Sequence, residues 1–471
     1  ERIADYDDHL MEELLSDVTP PLEEIFGDLG KELRAGQICP VLIGSAEHGN
    51  GIERLLKALR HEAPGLEETQ ERLGLTANAE AVVQVMKTWH TPHGGKLSVA
   101  RVLSGRVADG VTLFASDGSS DRISGIYKLT GKDQQKKAEA VAGETVALGK
   151  VEPAQTGLTL TSHKGGMPAL AEVVPPAPVM GFAIASLDHK DDVKLSAALT
   201  KITEEDPSLR IRQDQDTGET LLEGQGEMHL RVALERLEHK FGIKVKSTPA
   251  SVPYKESVHG HAAVRGRHKK QSGGHGQFGD VALEVMAGER GSGFVFVDKI
   301  TGGVVPRQYI PAVEEGVRDF LIKGLHGFPV VDLQVSLVDG SYHTVDSSDM
   351  AFKTAAQIGM REAMAKLHSV LLEPILRVSI TTPSDATARI NQIVSGRRGQ
   401  LLGYDGRPGW SGWDVVEALM PQAEMEHLII DIRSATQGVG TFTQDFDNLA
   451  EVAGHLAQKV LERAKEAMQQ S

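Results

Sequence analysis

Four side chains able to do chemistry crowd into six residues: His343, Asp346, Ser347 and Ser348. A histidine, a carboxylate and hydroxyls together suggest a Ser-His-Asp hydrolase, or a metal pair. A hydrolase triad, however, draws its members from separate elements around a pocket, with oxyanion donors beside the nucleophile. Here all four are local, and no nucleophile-elbow pattern accompanies them. A lone His-x-x-Asp is a weak metal pattern. The plainer reading is a helix start, with Ser347 or Ser348 as N-cap and Asp349 in the first turn of a helix carrying Met350, Phe352 and Ala355. His343 is then left exposed at a strand-to-helix turn, where it can donate to a phosphate or a base edge.

A second chemistry lies upstream. Arg265, Arg267, Lys269, Lys270 and the histidines His259, His261, His268 and His275 fall within 17 residues that contain no acid. Glycines follow, in Gly273-Gly274-His275-Gly276-Gln277. Arginine and lysine neutralise phosphates and release counterions, while glycine lets backbone N–H groups approach closely. The plain alternative is a solvated hairpin tip. Arg397-Arg398-Gly399 is another candidate RNA contact, since no acid lies between Ala386 and Tyr404; its plain reading is a surface turn. Gly224-Gln-Gly-Glu-Met-His-Leu230 lacks the GxxxxGK[ST] pattern and reads as a tight turn feeding a helix. That pattern occurs nowhere, so these residues alone are expected neither to bind nor to hydrolyse a nucleoside triphosphate.

Several elements must position these groups. Residues 1–62 read α/β: an amphipathic start (Ile3, Tyr6, Leu10, Leu14, Leu15), a short buried strand at Cys39–Ile43, the turn Gly44–Gly51, and a helix bearing Ile52, Leu55, Leu56 and Leu59. From Ala79 the apolar period changes to two. Short runs such as Ala81–Met86, Lys96–Val102 and Thr145–Leu148, separated by glycine turns, predict an antiparallel β-barrel. Pro175-Pro-Ala-Pro178 closes it as a stiff linker. Residues 179–247 and 375–446 each read strand, helix, strand, strand, helix, strand, so two ferredoxin-like units flank residues 251–372. A charged helix, Asn448–Gln470, ends the chain.

The whole sequence narrows the function classes. Its 471 residues predict about three domains or more. With 40 % hydrophobic and 24 % charged residues it can build ordinary cores, and no window suits a membrane span or a secretory signal. The single cysteine, Cys39, forbids an intrachain disulfide and fits a reducing, cytoplasmic compartment. The first residue, Glu1, is no initiator methionine, which reads as a piece of a longer protein. A net charge of −15 argues against RNA sticking to the entire surface, so any RNA contact must come from local basic patches.

In order and spacing, these motifs resemble elongation factor G, a translational GTPase family. The resemblance rests on Gly44-Ser45-Ala46, Gly165-Gly-Met167, Glu204-Glu-Asp-Pro207, Gly224-x-Gly-Glu-x-His-Leu230, Lys270-Gln-Ser-Gly-Gly-x-Gly-Gln-Phe-Gly279, Asp339-Gly-Ser-Tyr-His343, Val345-Asp-Ser-Ser348, Leu371-Leu-Glu-Pro374, Arg397-Arg-Gly399, Ala423-Glu-Met425 and Arg433-Ser-x-Thr-Gln-Gly438. It covers roughly residues 40 to 452. There are departures: Glu47-His48, His275, Asp280, Glu426-His-Leu428 and the divergent barrel depart from the usual residues and give the profile of a divergent, elongation-factor-G-like paralogue.

The resemblance implies a multidomain α+β chain: the C-terminal remnant of a P-loop G domain (1–70), an antiparallel β-barrel (71–174), a ferredoxin-like domain (175–250), an α/β, ribosomal-protein-S5-like, tRNA-mimicking domain (251–372), a second ferredoxin-like domain (373–447) and a terminal helix (448–471). Gly44, Ser45 and Ala46 would be the remnant of a guanine-contacting motif. GTP with Mg2+ would be bound by the full-length protein, with none expected on this chain, and no catalytic residue or resident metal is expected within it. Gly273–Gly279 and His343 would form the tip of the fourth domain. The implied partners are the ribosome, tRNA and mRNA at the decoding site, for a monomer that touches no membrane. The implied action is GTP-dependent translocation; ribosome recycling, ribosome protection or a free RNA-binding module are the alternatives.

Overall fold

A computed structural model describes residues 8–470 apart from 17, 18, 20, 76–79, 92–94, 132, 166, 168, 169, 171–173 and 271–275. The chain forms two compact units, residues 1–174 with 200–207, and residues 175–199 with 208–471.

The first unit opens with helices α1 (Asp8–Leu15), α2 (Leu22–Ala35), α3 (Ile52–Glu62) and α4 (Leu66–Arg72). The expected buried strand at Cys39–Ile43 is not one: it pairs with no neighbour, and Val41 and Ile43 are 84 % and 92 % exposed. A strand needs a partner edge for its N–H and C=O groups, and none of the described elements offers one here. Likewise α3 has the expected apolar spacing yet buries no residue.

Among the described residues ten strands follow: β1 (Val82–Thr91), β2 (Gly95–Ser104), β3 (Arg106–Ala108), β4 (Thr112–Phe114), β5 (Ser120–Arg122), β6 (Ile126–Thr130), β7 (Asp133–Lys137), β8 (Glu139–Val141), β9 (Thr145–Gly149) and β10 (Thr159–Thr161). Eight form an antiparallel sheet in the order β5-β4-β10-β1-β2-β9-β6-β7, and β3 pairs with β8. The sheet curls on itself, because Leu113, Val83, Val102, Leu148 and Ile126, from five of its strands, share one core. Alternate residues point inward, as the period of two predicts.

The second unit begins with β11 (Met180–Ser186), α5 (Asp192–Glu205), whose residues from Thr200 on are counted with the first unit, β12 (Arg210–Gln213), β13 (Thr220–Gly224), α6 (Glu227–Phe241) and β14 (Val245–Pro249). Its sheet order, β12-β13-β11-β14, is that of a βαββαβ unit. Gly226 (φ 144°) makes the turn into α6 and Gly242 (φ 69°) ends it.

Next come β15 (Lys255–His259), β16 (His261–Lys270), β17 (Gln277–Ala287), β18 (Phe294–Asp298), α7 (Ile310–Lys323), β19 (Leu333–Ser341) and α8 (Asp349–Lys366). The sheet β16-β17-β19-β18 carries both helices on one face, over a core that includes Val264, Leu283, Val335, Val317, Phe352 and Met360. Gly266 explains how closely α8 lies: a Cβ there would sit 2.1 Å from the Ala355 carbonyl oxygen. The strand β20 (His368–Pro383) then leads into α9 (Thr387–Gly396), β21 (Gln400–Gly406), β22 (Trp413–Pro421), α10 (Leu428–Ala435), β23 (Thr441–Glu451) and α11 (Gly454–Gln470). β20 lies between β22 and β23, which completes the second βαββαβ sheet over Val378, Ile390, Val416, Ile432 and Phe442. The terminal helix expected from Asn448 begins only at Gly454, because residues 448–451 still pair with β20 as the end of β23.

Candidate RNA-contact site

The strands β16 and β17 run antiparallel from His261↔Met286 to Lys270↔Gln277, so their far end projects past the sheet. The turn between β19 and α8 meets them there. Phe278 N donates to the Asp346 carbonyl (2.8 Å), and Ser347 Oγ donates to the Phe278 carbonyl (2.9 Å). Gly276 N donates to Asp346 Oδ1 (3.1 Å), and a Cβ at Gly276 would come within 2.9 Å of that carboxyl. The two sequence segments are therefore stitched into one tip. Of its expected members, Gly276, Gln277 and His343 are described together, whereas Gly273, Gly274 and His275 lie outside the described residues.

The serines divide the labour. Ser348 is the N-cap of α8, its side chain accepting from Ala351 N (3.3 Å). Ser347 accepts instead from His343 N (2.9 Å), which pins the turn. His343 Nδ1 accepts from Val345 N (3.3 Å) and Asp346 N (3.2 Å). Two N–H groups aimed at Nδ1 leave no room for a proton on it, so the network assigns the ring proton to Nε2. Asp346 Oδ2 is also 3.3 Å from Nδ1, a pairing that would need the proton there. The two backbone donors decide against it, since moving them would undo the turn. The imidazole is about half exposed and presents a fixed N–H donor.

Phe278 supports this histidine, with ring centroids 6.4 Å apart, and Arg267 lies 5.5 Å over the Phe278 ring. Cation, phenyl and imidazole form a short ladder that fits unpaired bases, which stack on aromatic and guanidinium planes. Lys269 and Lys270 stand exposed at the end of β16. Sequence reasoning missed Phe278 as the floor of the site. The alternation of β17 carried that signal, since it puts Phe278 on the face that bears Asp280.

Three of the expected RNA-binding arginines have other tasks. Arg265 makes a two-pronged pair with the buried Asp280 (2.9 and 3.0 Å), which also accepts from Ser341 Oγ (2.6 Å). Burial pushes the Asp280 carboxyl up, but these hydrogen bonds outweigh it and hold it below the usual carboxylate range. Arg397 ties Asp431 (2.7 Å) to the carbonyls of Glu424 and Glu426 (2.5 and 2.8 Å). Arg398 holds the buried Glu373 with two bonds (2.6 and 3.0 Å) and Glu424 with a third (2.7 Å). Arg397 and Arg398 thus join elements of the last sheet rather than the tip, whereas Arg265 keeps about half of its side chain exposed. Gly266 and Gly279, for their part, make room for α8 rather than for a phosphate.

In the first unit, Gly44, Ser45 and Ala46 form a tight exposed turn. Ser45 N donates to the Asn50 carbonyl (2.9 Å), and a Cβ at Gly44 would lie 2.6 Å from that oxygen. Among the described residues no group of three or more His, Cys, Asp or Glu could hold a metal ion, and no helix is long and apolar enough to cross a membrane.

Comparison with known proteins gives four family matches in the order of the chain. They are elongation factor G domain 2 over residues 80–163, domain III over 175–249, domain IV over 250–367 and the elongation factor G C-terminus over 370–460. A relative in Synechocystis sp., described as an elongation factor G-like protein, is 49 % identical over 459 residues, covering 97 % of this chain and 67 % of its own length. A crystal structure of a protein from Thermus thermophilus superposes with a TM-score of 0.76 at 33 % identity, covering 99 % of this chain and 69 % of that one.

Proposed function

The chain belongs to the elongation factor G family of translational GTPases, and from that premise we propose that it promotes GTP-dependent movement of tRNA and mRNA through the ribosome. The α/β region of residues 261–367 enters the decoding site and holds tRNA and mRNA in register. The observation that carries this reading is the stitched tip, where His343 offers Nε2–H beside the Phe278–Arg267 ladder. A fixed donor on a stacking surface recognises the shape and edges of unpaired RNA rather than phosphate charge alone.

The GTP site would lie mainly in a P-loop domain. The turn at Gly44–Ala46 fits the base end of that nucleotide: its small residues leave the backbone open, and the Asn50 carbonyl fixes its shape. When bound, GTP with Mg2+ supplies the free energy and timing of the cycle. The exposed apolar side chains of Val41, Ile43, Leu56 and Leu59 suit packing against the rest of such a domain.

The test uses the protein joined to its family's GTPase domain on pre-translocation ribosomes. Forward movement of mRNA with GTP is expected. Splitting of subunits with a recycling factor, or activity only on drug-bound ribosomes, would replace translocation by recycling or protection. Binding to RNA without any ribosome-stimulated GTP hydrolysis would leave a free RNA-binding module.

A further inference from the structure

The chain enters the α/β region on β15 and leaves it on β20, and these two strands pair antiparallel from Lys255↔Leu372 to His259↔His368. They form a two-stranded stalk that extends the last sheet, of which β15 is an edge strand. Successive residues of a strand face opposite ways, so Glu256 lies on one face of the stalk, and Ser257 and His259 on the other.

The first face is closed permanently. Glu256 is fully buried and accepts from the backbone N–H groups of Leu325, His326 and Phe328 (3.1, 2.8 and 3.2 Å), clamping the loop after α7. The second face is spanned by one exposed side chain. Arg290, on the loop between β17 and β18, donates through Nη1 to Ser257 Oγ (2.7 Å) and through Nη2 to Glu451 Oε1 (2.7 Å). His259 Nε2 lies 2.8 Å from the same carboxylate oxygen. Glu451 ends β23 and pairs with Leu372, whose other neighbour is Lys255 of β15. Arg290 therefore reaches from β15 across β20 to β23.

The loop that carries Arg290 is itself held. Asp332 is buried in a left-handed conformation (φ 59°), and its Oδ1 accepts from Gly291 N (3.1 Å) and Gly293 N (3.0 Å). Aspartate tolerates this left-handed angle better than most residues, and its two bonds to the loop hold it there.

We propose that Arg290 and Glu451 are positioning residues that form a releasable strap across the stalk and fix the direction of residues 261–367 against the last sheet. Since Arg290 and Glu451 are both partly exposed, the strap can open without exposing a core, whereas the Glu256 clamp cannot. The strap acts on the chain's own geometry and holds whether or not the tip meets RNA.

The test is a distance distribution between spin labels at Met350→Cys and Ser395→Cys, with Cys39→Ser, in the 471-residue chain. One narrow distribution is expected for this parent. Arg290→Glu and Glu451→Arg should each raise the population at other distances about fivefold, as suits an exposed ionic network, with the melting temperature nearly unchanged. The double variant, which reverses both charges, should restore the narrow distribution. Arg290→Gln carries the same expectation as Arg290→Glu should the latter fail to fold. Unbroadened single variants, or a double variant as broad as the singles, would overturn the strap.

Discussion

At the residue scale, charge was easy to find in the sequence but its direction was not. Arg265, Arg397 and Arg398 sit in runs poor in acids, yet each meets a carboxylate brought from a distant segment: Asp280, Asp431 and Glu373. No local pattern announces such pairs. Their energetics differ from those of an RNA contact. Arg398→Ala leaves Glu373 buried without its partner, a change that costs about 3 kcal/mol; chemical denaturation should show that loss, and an unchanged midpoint would mean that Glu373 finds another partner. The Asp280 carboxyl, held below its usual range by Arg265 and Ser341, gives a signed pH effect. A depressed folded-state value stabilises fully above the unfolded range near pH 4 and is lost as the pH falls through the folded value. The stability advantage of the wild type over Asp280→Asn should therefore shrink below about pH 4 in acid titrations. An advantage that grows on acidification would reverse the assignment.

At the scale of elements, period and order were legible. Alternation marked the strands of the curled sheet, and two strand-helix-strand-strand-helix-strand patterns marked the ferredoxin-like units. The segment Cys39–Ile43 was not legible, because apolarity signals a strand while pairing depends on a neighbour that sequence does not place. What the glycine of β16 is for was not legible for a related reason. A small residue permits close approach, but sequence does not say of what, and for Gly266 it is the backbone of α8 at Ala355 and Gly359. Gly266→Ala should thus destabilise by about 2 kcal/mol through overpacking, measured by urea unfolding, and leave the Lys269 and Lys270 face unaltered. A neutral result would show that α8 can shift at no cost. The helix start at Ser348 was legible, since its cap chemistry is local.

At the scale of the whole molecule, a net charge of −15 coexists with a basic, aromatic tip. The acidic remainder repels RNA in general, so affinity must depend on fit at the tip more than on counterion release. Removing the exposed charges in Lys269→Gln/Lys270→Gln should lower the salt slope of ribosome binding by about 1–2. A slope that stays the same would place the phosphate contacts elsewhere. The most direct test of the central claim is the single-round rate of mRNA movement on pre-translocation ribosomes, comparing the wild type with His343→Ala, with the GTPase domain joined. A rate lowered on the order of tenfold or more, equivalent to about 1.4 kcal/mol, with ribosome-stimulated GTP hydrolysis intact, is the predicted result. Equal rates for the two proteins would contradict a tip that works through His343.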